Sequence, residues 1–133
     1  MPSKSILCHT VRLFNYIGEV NDEAVYQEVI IKNCHCSIGD ASKAGNSGTK
    51  ASDSAKLYIF KRDSAVRSPK GVRLKYLPPE KWDKLSEKSR YWTINPGRDY
   101  FIRSDRQERI KVTSVVDREV GNQSMWHYEV SGK

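Results

Sequence analysis

A chain of 133 residues has the length of one domain, and at 38% apolar and 29% charged residues it is too apolar to remain disordered. No stretch approaches the ~20 apolar residues that span a bilayer, so no membrane partner is expected. Twenty-three Lys and Arg against 16 Asp and Glu leave a net charge of +7, which favours acidic partners such as nucleic acid. The basic residues are scattered, so any such attraction is diffuse, and plain solvated charge is the competing reading.

Ser5 to Tyr16 alternates in part, with Leu7, Val11 and Leu13 on one face and Ile6, Phe14 and Tyr16 on the other. Gly18-Glu19-Val20-Asn21-Asp22 is a turn cluster. Val25 to Cys34 follows as a second strand with Val25, Val29 and Ile31 on one side, and the two runs are expected to pair as a hairpin. The stretch 38–55 is rich in glycine and serine and holds no large apolar residue in its middle. It cannot bury enough surface to offset its ordering entropy, so it reads as a long mobile loop inserted in the domain.

Lys56 to Phe60 is expected as a third strand and Val72 to Tyr76 as a fourth, with Pro69-Lys70-Gly71 between them as punctuation. Pro78 to Leu85 reads as a short helix, with proline at its start, Glu80 near the positive end of its dipole and Trp82 and Leu85 on one face. Trp92-Thr93-Ile94 is a short extended piece, and Asn95-Pro96-Gly97-Arg98 is a turn. Asp99 to Arg103, Arg109 to Asp117 and a final run with Trp126, Tyr128 and Val130 on one face complete the strands. The fold class expected is mostly β: a single domain over residues 1–133, a small barrel or sandwich of about seven short antiparallel strands with one short helix.

The chemistry is sparse. Cys34-His35-Cys36, with Cys8-His9, is the one cluster with metal-ligand residue types. Cys34 and Cys36 are two apart in a strand and share a face while His35 points away, which fits buried free thiols better than zinc. Three cysteines, an odd number, argue against a disulfide framework. A Cys–His nucleophile pair needs convergent side chains, which strand neighbours do not offer. Gly45-Asn46-Ser47-Gly48-Thr49-Lys50 lacks the ending and the helix of a phosphate-binding loop. No catalytic residues, cofactor or metal are therefore assigned. Tyr58, Trp82, Trp92, Trp126 and Tyr128 are candidates for core or subunit contacts. The aromatic residues, Tyr76 and Tyr100 included, interleaved with Arg73, Arg98, Arg103 and Arg106, also allow a stacking face for single-stranded nucleic acid.

Across most of its length the chain resembles small head–tail connector proteins of long-tailed bacteriophages, of the minor-capsid or head-completion (stopper) kind. The resemblance runs through Thr10 to Tyr16, Ala51 to Phe60, Tyr76 to Trp82, Trp92-Thr93-Ile94-Asn95-Pro96-Gly97-Arg98-Asp99, Val115 to Arg118 and Met125 to Gly132. It implies a β-barrel subunit of a hexameric virion neck ring, assembled in the host bacterial cytoplasm. Its partners would be a portal or adaptor protein on the head side and a tail terminator or tail tube on the other. The loop would project into the channel and help retain packaged double-stranded DNA, which makes Asp40, Lys43, Asn46, Thr49, Lys50 and Asp53 the channel-loop candidates. A tail terminator or tail completion ring protein is the neighbouring alternative. A single-stranded nucleic-acid-binding β-barrel is the alternative of a different class.

Overall fold

The computed structural model describes residues 7–39 and 55–133. The candidates Asp40, Lys43, Asn46, Thr49, Lys50 and Asp53 lie outside the described residues, as does most of the predicted mobile loop. The mostly-β expectation holds. Strands β1 (His9–Val20), β2 (Glu23–Ile38), β3 (Ala55–Phe60), β7 (Tyr100–Arg103), β8 (Ile110–Arg118) and β9 (His127–Gly132) form one antiparallel sheet. Its order is β1-β7-β8-β9-β3-β2, and β1 also pairs with β2, so the sheet closes on itself as a six-stranded barrel. Closure leaves these strands without a free edge along their paired lengths. Between β3 and β7 the chain makes an excursion through β4 (Ala65–Arg67), β5 (Lys75–Tyr76), the helix α1 (Pro79–Trp82) and β6 (Tyr91–Trp92). β4 pairs with the middle of β2 on the edge away from β1, following β3 along the same side of that strand.

The β1–β2 hairpin dominates. Its turn is Asn21-Asp22, between the register partners Val20 and Glu23, with φ of 53° and 66°. Two successive left-handed residues are what a two-residue hairpin with native twist requires, and Asn and Asp tolerate them. Gly18, at φ 146°, instead sits at a register shift inside β1. A second shift falls near Asn33, at φ 58°. There β2 changes phase: Val29 and Ile31 face inward before it, Cys34 and Cys36 after it. An inserted residue moves every later side chain to the opposite face, and it bends the strand so that its last part pairs with β3.

The interior is filled by alternate residues: Val11 and Leu13 of β1, Leu57 and Ile59 of β3, Phe101 of β7, Ile110 and Val112 of β8, and Val130 of β9. Gly132 closes this packing. A Cβ there would lie 2.6 Å from Cγ2 of Ile110 and 2.8 Å from the Lys111 carbonyl oxygen.

The excursion departs from expectation in three ways. The predicted fourth strand over Val72 to Tyr76 is reduced to a bridge at Arg73, paired with Arg67, and the two-residue strand Lys75–Tyr76, because residues 68–72 close on themselves: Gly71 N donates to Ser68 O, and Ser68 N to Val72 O. β4 lies in a charged stretch without alternation, and β5 pairs with β6 in parallel. The helix is one turn, and Asp83 ends it.

Candidate functional site

Cys34 and Cys36 are buried side by side within the barrel wall, and His35 faces the other way. Burial pushes the Cys34 thiol up to about 12 and that of Cys36 to about 11. Cys34 Sγ lies 3.4 Å from the carbonyl oxygen of His9, in reach to donate. Thiols held protonated in this way are poor ligands and poor nucleophiles. Among the described residues no group of three His, Cys, Asp or Glu side chains is placed to hold a metal ion. Cys8 is exposed. A disulfide reagent is therefore expected to modify one thiol per chain rapidly in the native protein and three in denaturant. Rapid native modification of a second thiol would contradict this burial.

The polar group that sequence reasoning missed is Asp99. It is fully buried with Asn15 and Thr93, where β1 meets the loop before β7. Its Oδ2 accepts from Asn15 Nδ2 at 2.7 Å and from Asn95 N at 2.9 Å, and its Oδ1 accepts from Tyr16 N at 2.8 Å. Asn15 also bridges to the Thr93 backbone through both ends of its amide. Burial raises the Asp99 carboxyl to about 6, against the pull of these donors. Both oxygens accept from the protein's own donors, so Asp99 clamps β1 to the Asn95–Asp99 turn. The signal was an asparagine at an inward position, two residues after Leu13.

The aromatic candidates divide between core and surface, and for Trp82, Trp92 and Tyr128 the core alternative is the one the packing shows. Trp82, Trp92 and Tyr128 are 0%, 4% and 9% exposed, so their area is spent inside the subunit. Trp92, Tyr76 and Tyr128 close one end of the barrel with ring centroids 4.5 to 5.9 Å apart. Trp82 carries α1 onto the β1–β2 hairpin and donates from Nε1 to the Tyr16 carbonyl at 3.3 Å. Tyr58 and Trp126 remain half-exposed. Tyr58 sits on the outer wall between His35 and His127, at 5.8 and 5.7 Å between ring centroids. Trp126 lies beside Lys61, which is paired with Asp117 and Glu119.

The stacking face drawn from the sequence is not assembled as drawn. Its Tyr76, Trp82, Trp92 and Tyr128 face inward, Arg103 pairs with Asp105, and Arg106 pairs with Glu108. On the β1–β2–β7 wall the predicted Tyr100 stands in a strip with Phe14, Tyr26 and Tyr16, three rings the sequence reading did not include. There Arg12, Arg98 and Arg109 lie over the rings of Phe14, Tyr16 and Tyr100.

The exposed large apolar residues define two further patches. Ile17 and Val20 stand at the tip of the β1–β2 hairpin, with Val20 61% exposed. Val116, Val120 and Met125 surround the β8–β9 connection, with Val120 76% exposed. Because the strands run antiparallel around the barrel, both tips stand at the same end, and in the order β1-β2-β3-β9-β8-β7 they occupy opposite walls. The other end carries Ile38 and Ala55, which are direct register partners, so the segment between them leaves and returns at one point on the rim.

Fold and surfaces together define a small closed β-barrel with an excursion between β3 and β7. A model for a family of unknown function, DUF6751, matches residues 6–133, and the chain belongs to that family. No curated protein and no solved structure matches it.

Proposed function

We propose that this chain is a structural ring subunit, a head–tail connector of the stopper or head-completion type in the neck of a long-tailed bacteriophage. The observation that carries this reading is the pair of apolar tips on opposite walls of one barrel end. A ring built by rotation needs two different patches on each subunit, one meeting the other on its neighbour. Val20 and Ile17 on one wall and Val120, Val116 and Met125 on the other meet that requirement. Tyr58 and Trp126 are half-exposed aromatics able to add contact area. By the connector resemblance the 38–55 loop, with Lys43 and Lys50, would be the channel segment; residues 40–54 of it lie outside the described residues. Function then lies in assembly and closure, with a portal or adaptor on one side and the tail on the other.

The test uses one charge on each tip. The unmodified chain is expected to sediment as a closed oligomer, and Val20→Asp and Val120→Asp each as a monomer. Mixed one to one, the two variants retain one good pair of patches between them and are expected to form a heterodimer that grows no further. An unmodified chain that stays monomeric at high concentration, or variants that keep the full oligomer, would overturn the reading.

A further inference from the structure

Residues 61–90 hold ten Lys and Arg against four Asp and Glu, a net +6 out of the chain's +7. The positive charge is therefore concentrated in the excursion between β3 and β6. Three depressions of about 370, 200 and 460 Å³ lie along this excursion. They abut: the first and second share Ala65 and Arg67, and the second and third share Ser68 and Pro69. Arg62, Arg67 and Arg73 line the first, Lys32 the second, and Lys70 and Arg90 the third. All six are exposed, and among the described residues none forms an ion pair with a carboxylate. Lys61, also on the first depression, is neutralised by Asp117 and Glu119, and Glu28 on the third is held by Arg12 at 2.8 Å. Asp63 is the remaining acid on the path.

We infer that this path is a binding groove for the phosphate backbone of a nucleic acid strand, acting on each subunit independently of ring assembly. A series of unpaired cations along a continuous groove tracks a polyanion without reading its sequence. A protein partner is disfavoured, since a stable protein interface needs an apolar centre. Val72 is the one large exposed apolar side chain along the path. The rival arginine surface on the β1–β2–β7 wall fits less well, because Arg98 and Arg109 are already engaged over Tyr16 and Tyr100 at 5.4 and 4.7 Å.

The experiment is a fluorescence-anisotropy titration of a 20-nucleotide single strand and of the matching duplex across salt. It is run on the unmodified full chain and on the Val120→Asp chain, so that loss of assembly and loss of the groove read separately. Six contacts imply a log–log salt slope of about −4 to −5, several hundredfold in affinity between about 50 and 200 mM salt, and the better-bound form identifies the backbone preferred. The triple substitution Arg62→Ala, Arg67→Ala, Arg73→Ala, all at exposed positions, is expected to weaken binding at least tenfold and to flatten the slope by about 2 to 3. The control Lys56→Ala, Arg106→Ala, Arg118→Ala removes the same charge elsewhere and should change affinity less than threefold. The proposal is overturned if neither oligonucleotide binds at low salt or if the two triples weaken binding equally. It is also overturned if polyglutamate displaces the oligonucleotide as readily as unlabelled DNA does.

Discussion

Trp82→Ala is expected to lower the unfolding free energy by about 3–5 kcal/mol, the largest single loss outside the barrel interior. The indole is fully buried, and its ring nitrogen donates to the Tyr16 carbonyl. It is also the one buried side chain of a helix of four residues, which has no propensity of its own to persist. The loss should therefore be uneven. Hydrogen exchange is expected to rise first over residues 75–92, while β1, β2 and β9 keep most of their protection. Trp82→Phe keeps much of the volume and gives up the hydrogen bond, so a cost of about 1–2 kcal/mol is expected. Equal costs for the two variants in denaturant titration would show that the indole is not the anchor of the excursion.

The second large effect is at Asp99 and depends on pH. Burial raises the Asp99 carboxyl to about 6, above the ordinary value of about 4. The native chain thus holds this proton more tightly than the unfolded chain does. Stability from this group is fully present below about pH 4 and is lost as pH rises through about 6, a change on the order of 3 kcal/mol. Asp99→Asn removes the titration. It also turns an amide NH₂ toward one of the three donors, from Asn15, Tyr16 and Asn95, at a cost of about 1–3 kcal/mol. In unfolding titrations the gap between the natural chain and the variant should be widest near pH 4 and narrow toward pH 7. A gap that widens as pH rises would mean that the donors outweigh burial and that Asp99 ionises more readily than an ordinary carboxyl.

The strands were legible where alternation was clean. Leu57 and Ile59, Tyr128 and Val130, and the Asn95–Arg98 turn all stand where a period of two and proline–glycine chemistry put them. What pattern reasoning missed depends on partners far away in the chain. Barrel closure through β1–β7 and β1–β2 is one such case. The phase change near Asn33 is another, since nothing local distinguishes an inserted residue from an ordinary strand position. Trp82, Trp92 and Tyr128 looked equally suited to a core or to an interface, because a large amphipathic ring serves both, and only the packing decides. Asn15 and Asp99 are 84 positions apart, so their clamp had no spacing to recognise. The excess of Lys and Arg over residues 61–90 forms no run of like charge, because these residues are interleaved with neutral ones. Net charge summed over the whole excursion would have found it.

The most direct measurement is electron microscopy of the purified full chain, paired with its native mass. Closed rings with a central opening, six-fold by the connector resemblance, are the expected result, with the Val20 tip of each subunit against the Val120 tip of the next. A monodisperse monomer, or a two-fold dimer joined through identical tips, would contradict the head-to-tail ring on which the proposed function rests.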